Sequence, residues 1–178
     1  HELLSKPDSK GFFCVSTSYR QEPNAIPGRH DIIFPMFEFE FPGNIDDLKA
    51  MEYELVDYLG FEKPTEKTYA EWQKHYGWGE HSDLTAEDEG KMYDEFTTAL
   101  ITDFPEFTSP FWNMKIAEER GPKGMKLANK CDVIMGGMET IGSAERATDV
   151  QEMKEQFYTI SNGEYANLLF DLFGKDRV

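Results

Sequence analysis

"SYRQEPNAIPGRHDIIFPMFEFE", residues 18–40, sets Arg20 and Glu22 ahead of a loop and then runs into a phenylalanine-dense stretch punctuated by glutamates. Pro23, Pro27 and Gly28 forbid a continuous helix through the middle, while residues 11–18 and 31–41 on either side are rich in aromatic and β-branched side chains. The pattern predicts two antiparallel strands joined by a long loop. Alternate residues of a strand share a face, so Phe34, Met36, Glu38 and Glu40 point one way and Ile33, Phe37, Phe39 and Phe41 the other. A mixed face beside a loop bearing Arg20, Glu22, Arg29 and His30 suits a planar base with an attached polyphosphate. The guanidinium would grip phosphate oxygens through paired hydrogen bonds, and the phenyl ring would stack on the base. The plainer alternative is a surface hairpin with solvated charges.

Outward from that stretch, composition bounds the rest. The 178 residues suit one domain with a sizeable core, and 14 Phe, 8 Tyr and 3 Trp supply its packing. Lys and Arg total 18 against 34 Asp and Glu, a net charge of −16, with no basic cluster of the kind that nucleic-acid binding ordinarily needs. Such an acidic excess by itself keeps a protein soluble and names no partner. Cys14 and Cys131 lie far apart without CxxC spacing, which suggests a reducing compartment. No apolar run approaches the ~20 residues of a membrane span, and "HELLSKPDSK" (1–10) has no signal-peptide core. The expected location is therefore the cytoplasm, and no membrane partner is expected.

Along the chain, Asn44 stands before Ile45, Leu48, Met51, Leu55 and Leu59 at the helical period, and Gly60 closes that helix. Residues 62–98 turn acidic and polar and read as a helical, insertion-like region, with helical pieces near 68–75 and, after the Thr85 cap, at 87–97. The stretch "YGWGEHSDL" (76–84) between them reads as an exposed loop. Further strands are expected at 99–102, 111–117 and 125–138, the last broken by Gly136 and Gly137. Thr148 with Gln151, and Ser161 with Glu164, have capping-box spacing and open two more helices. The fold class is α+β, a mainly antiparallel β-sheet flanked by helices.

Two segments carry a family resemblance. "YRQE" (19–22), the loop, and "RHDIIFPMFEFE" (29–40) resemble motif 2 of class II aminoacyl-tRNA synthetases. "CDVIMGGMETIGSAER" (131–146) is similar to the segment before motif 3 in the aspartate/asparagine branch, with an Asp, a Glu seven residues on and an Arg another seven on. The resemblance implies that Arg20 binds the α-phosphate of ATP as the catalytic cation and that Phe34 stacks on adenine. It also puts Glu22 at the adenine or acceptor end, His30 with Arg29 near the outer phosphates, and Glu38 by the amino-acid ammonium. Asp132 and Glu139 would hold Mg²⁺, whose octahedral shell suits hard carboxylate oxygens, and Arg146 would receive the substrate side chain. "ITDFPEFTSPFWNM" (101–114) resembles the strand ahead of the substrate pocket. His75 and His81 flank an aromatic, acidic stretch that reads as a solvated loop rather than as a metal site.

A strict period of two puts Asp132 and Glu139 on opposite faces, so a bulge is expected at Gly136–Gly137. Ile33 replaces the acidic residue usual before the stacking ring, and Gly142 stands where a serine often joins the metal ligands, with Ser143 adjacent. The lysine of aspartate-specific members falls near His1. Neither motif 1, which builds the dimer interface, nor the glycine-rich motif 3 is seen, so residues 1–178 read as part of a catalytic domain that dimerises through a segment outside this chain. The expected function is an ATP-dependent ligase of protein biosynthesis that activates aspartate or asparagine for transfer to tRNA. The alternatives are an asparagine-synthetase-like amide ligase using ammonia or another amine, and a non-catalytic nucleotide-binding relative.

Overall fold

The computed structural model describes residues 6, 8–158 and 160–174, and the chain divides into two compact units, residues 1–44 and 45–178. The position of His1, where the substrate lysine of some members was expected, lies outside the described residues.

The first unit is a two-stranded antiparallel sheet of β1 (Phe12–Tyr19) and β2 (Ile33–Glu40). Its register pairs Phe13 with Phe39, Val15 with Phe37 and Tyr19 with Ile33 on one face, and Cys14 with Glu38, Ser16 with Met36 and Ser18 with Phe34 on the other. The two strands and the division of their faces are as the sequence predicts. Rings on the apolar face follow one another, Phe13 to Phe37 at 5.8 Å, Phe37 to Phe39 at 6.2 Å and Phe39 to Phe41 at 6.3 Å.

The second unit is built on a four-stranded sheet in the order β3 (Thr65–Thr68), β4 (Thr98–Pro105), β5 (Leu127–Met135), β6 (Met138–Ala144). β4–β5 and β5–β6 are antiparallel, and only the short β3 runs parallel to β4. Helix α1 (Ile45–Tyr58) places Leu48, Glu52 and Val56 in the interior, one helical stripe at intervals of four. The helices α2 (Tyr69–Tyr76) and α3 (Ala86–Phe96) both open on capping boxes, Thr68 with Glu71 and Thr85 with Asp88. Each box satisfies two backbone N–H groups that a helix start leaves without partners.

Residues 62–98, polar in composition, nevertheless supply β3 and much of the core. Tyr69, Trp72 and Met92 pack with Ala99, Ile101, Phe104 and Ile134, and the Trp72 indole donates to the Leu100 carbonyl at 3.1 Å. The segment 76–84 is less exposed than its polarity predicts, because Tyr76, Trp78 and Leu84 pack against this cluster. Two further helices follow, α4 (Val150–Phe157) and α5 (Glu164–Phe173). Both start later than predicted: α4 opens at Val150, behind Asp149 rather than Thr148, and α5 opens behind Gly163, with residue 161 in a preceding 3₁₀ turn. Among the described residues no helix is long and apolar enough to cross a membrane.

Residues 111–117 form no strand, although one was expected there. Only two isolated bridges appear, Met114 with Arg146 and Ile116 with Ala128. The segment is wedged where β5 and the chain after β6 diverge. Lys115 donates its N–H to the Glu145 carbonyl at 2.8 Å and accepts from Asn129 at 2.9 Å, so its backbone bonds go alternately to both sides. That satisfies its polar groups without a regular ladder. Phe111, at the start of this segment, is 73% exposed.

Candidate functional site

In the first unit the loop after β1 returns the predicted residues to one another. The Arg20 guanidinium lies 5.3 Å from the centroid of the Phe34 ring and 3.8 Å from the Glu22 carboxylate. His30 Nδ1 is 2.9 Å from Glu22 Oε1, so Glu22 joins the two basic groups. The loop is held by its own backbone, Arg20 N–H donating to the Ile32 carbonyl at 2.8 Å and the Arg29 and His30 N–H groups to that of Ile26 at 3.1 and 2.9 Å. Pro27 and Gly28, at φ +80°, make the reversal that brings His30 back. Further along the same face, Glu38 accepts from the Ser16 hydroxyl at 2.6 Å.

In the second unit the expected bulge is displaced. Gly136 and Gly137 both have positive φ, +61° and +78°, and form the two-residue turn that joins β5 to β6. That backbone suits glycine pairs, because a side chain there would meet the carbonyl. The register shift lies next to the turn: Ile134 pairs with Glu139 but Val133 with Ile141, leaving Thr140 as the extra residue. Asp132 pairs with Gly142, and the bulge rotates Glu139 onto Asp132's face. The parity problem posed by the seven-residue spacing is thus solved by a turn and an adjacent bulge together.

Gly142 is the floor of this pair. A Cβ built there would collide with the Glu139 carboxylate and stand 3.5 Å from Asp132 Oδ1. Asp132 is 1% exposed, and its Oδ1 is buried with no hydrogen-bond partner, while Oδ2 is ion-paired to Lys130. Burial pushes the Asp132 carboxyl up to about 7, Lys130 opposing and Glu139 adding to the rise. Two carboxylates over a glycine, one with an orphaned buried oxygen, have the donor chemistry of a hard divalent cation. Among the described residues no third His, Cys, Asp or Glu joins them.

On the opposite face of β5, Glu52 of α1 is buried and accepts from Cys131 Sγ at 3.3 Å and from the Ser143 hydroxyl. Burial raises the Glu52 carboxyl, the bonds from Ser143 and Cys131 working against it, and raises the Cys131 thiol. This tie joins α1 to the two strands directly behind Asp132 and Gly142. Sequence reading passed over Glu52, although an acid on the Leu48–Val56 stripe was a visible signal. It also passed over Lys130, whose i,i+2 spacing puts it on Asp132's face.

Arg146 follows β6 and is exposed at its side chain, which reaches Asn113 Oδ1 at 3.4 Å. His75 Nε2 is 3.0 Å from Glu95, and the His81 ring stacks edge-on to Phe107 at 5.0 Å.

This geometry has a family. The model of "tRNA synthetases class II (D, K and N)" matches residues 8–174, and the chain belongs to that family. Among solved structures, the aspartyl tRNA synthetase from Entamoeba histolytica superposes with a TM-score of 0.73 at 18% identity, over 95% of this chain and 41% of that one. A chain assigned as an aspartyl-tRNA synthetase from Leishmania major Friedlin gives 0.67 at 14% identity, over 89% and 44%. At these identities the likeness is one of fold, and it bears out the α+β class. The chain spans about two fifths of the length of these structures. Comparison with the curated proteins gave no match.

Proposed function

We propose that this chain is the nucleotide-handling part of an ATP-dependent ligase that activates aspartate or asparagine as an aminoacyl-adenylate for transfer to tRNA. Family membership and the arrangement of Arg20 over Phe34, with Glu22 bridging to His30, support the reading. A half-exposed cation beside a flat ring is able to meet a phosphate and a base at once.

In the reaction an oxygen of the amino-acid carboxylate forms a bond to the α-phosphorus. The bond from that phosphorus to the oxygen bridging to the β-phosphate breaks, and pyrophosphate leaves with the electron pair. Arg20 binds the α-phosphate oxygens and stabilises the charge that builds there, which is where catalysis of this class of transfer gains most. Arg29 and His30 take the outer phosphates, Glu22 the adenine or acceptor end, and Phe34 stacks on the base. Glu38 binds the amino-acid ammonium, and Arg146 the substrate side chain. Asp132 and Glu139 would hold Mg²⁺, which supplies neutralising charge to the phosphates when bound.

Replacing Arg20 by Ala is expected to lower aspartate- or asparagine-dependent pyrophosphate exchange in the full-length protein by about 10²–10³-fold, as loss of one such donor does. Stability should stay within about 0.5 kcal/mol, because the side chain is exposed. Exchange at the wild-type rate would overturn the role given to Arg20. The net charge of −16 favours a second reading, in which the acyl group passes to ammonia or another amine rather than to a polyanion. Release of amide product without tRNA would select it.

A further inference from the structure

Lys130 lies two residues before Asp132 on β5 and projects from the same face. Its ammonium is held twice: it is ion-paired to Asp132 Oδ2, and it sits 3.9 Å from the centroid of the Phe104 ring, itself 4% exposed. A cation over a buried aromatic face is attracted by the ring quadrupole, which helps to keep a long side chain in one position. Asp132 is thereby engaged at one oxygen only. Its other oxygen, Oδ1, is buried without a partner beside the Glu139 carboxylate over Gly142. An unsatisfied buried acceptor is costly, and a bound ion is one of the partners that completes it.

The geometry points to Lys130 as a positioning residue for this carboxylate pair. By taking Oδ2 while pinned on Phe104, it fixes the Asp132 side chain so that Oδ1 is presented, in one orientation, to a divalent cation shared with Glu139. The inference rests on the reading of Asp132 and Glu139 as cation ligands. Two effects of the ammonium oppose each other, since it orients the ligand and also repels the incoming ion. The repulsion is diminished because its charge is compensated by the carboxylate that it bonds. Its removal leaves a buried carboxylate partnerless at both oxygens, which turns to find another donor. Orientation therefore decides the sign, and outer-sphere partners of this kind change metal affinity by about 10–100-fold.

The test is a Mn²⁺ titration of the nucleotide-free protein, following the free ion by electron paramagnetic resonance. Lys130→Met, which keeps an unbranched stem against Phe104, is expected to weaken Mn²⁺ binding by about 10–100-fold. Lys130→Arg, which keeps a cation at the position, stays within about threefold of wild type. A purely structural lysine would not show this rescue. If Lys130→Met does not fold, Lys130→Gln, which still donates one N–H, carries the test with an intermediate loss expected. Wild-type or tighter binding in the Met or Gln variant overturns the proposal, as does an Arg variant no better than Met. Asp132→Asn separates the two levels of the argument: if it binds Mn²⁺ as wild type does, the ligand reading fails and takes the proposal with it. If Asp132→Asn abolishes binding and Lys130→Met leaves it unchanged, only the proposal falls.

Discussion

The hairpin of β1 and β2 and the hairpin of β5 and β6 use the same kinds of side chain under opposite conditions. In the first, Arg20 and Glu22 stand 3.8 Å apart with side chains 48% and 28% exposed. In the second, Lys130 and Asp132 pair with side chains 20% and 2% exposed. Water screens the first pair, which contributes little to stability and stays available to a ligand. The second pair is part of the fold, because neither member can lose its partner without leaving a charge in the interior. The connections differ in the same sense: a long Pro- and Gly-containing loop presents side chains outward, whereas a two-glycine turn draws β5 and β6 tightly together. Charge type alone therefore does not tell a solvent-screened pair from one built into the fold; the depth of the strand that carries it does.

The contrast can be broken most sharply by truncation. Ile134, fully buried on β5, is expected to lose about 2–5 kcal/mol on replacement by Ala. Val15, 71% exposed on β1, should lose no more than about 0.5 kcal/mol. Denaturant unfolding measures both, and equal losses would abolish the distinction. The turn is next in size. Gly136→Ala forces a Cβ into φ +61° and should cost about 1–2 kcal/mol, read in the same experiment.

The smallest effect sharpens the comparison at an intermediate depth. Glu66 on β3 accepts from Tyr53 and from Lys49 at 3.0 Å. Burial tends to raise its carboxyl, but the Tyr53 and Lys49 bonds outweigh it and the group lies below its ordinary value. A lowered carboxyl stabilises the fold above its unfolded value of about 4.3, and that contribution disappears as pH falls through the folded value. Glu66→Gln should therefore lower the thermal midpoint modestly at neutral pH, with the gap to wild type closing in acid. A gap independent of pH would mean that the charge contributes nothing.

Much of this was legible from residues alone, for identifiable reasons. Alternation at 33–41 and the 3.6-residue period of α1 are local signals, and both elements stand where the pattern puts them. The Thr85 cap is equally local, whereas the helix starts expected at Thr148 and Ser161 lie further along the chain. What escaped depends on distant partners. β3 exists because it can pair with β4, and residues 111–117 are not a strand because their hydrogen bonds divide between two neighbours. The Gly136–Gly137 dipeptide signalled a break, but only pairing of β5 with β6 distinguishes a turn from a bulge. At the site, Asp132 and Glu139 were named through the family resemblance, and the structure brings the two carboxylates together over Gly142. Lys130's i,i+2 spacing from Asp132 was there to be read, but its seat on the Phe104 ring of β4 depends on strand pairing.

The two cysteines turn the same contrast into a practical handle. Cys131 is sealed between Glu52 and Ser143, whereas Cys14 is exposed on the β1–β2 face that also carries Phe34 and Glu38. A thiol-reactive fluorophore added to the folded chain would attach at Cys14 and leave Cys131 untouched. Without any engineered residue, its emission would report the arrival of small molecules on that one surface.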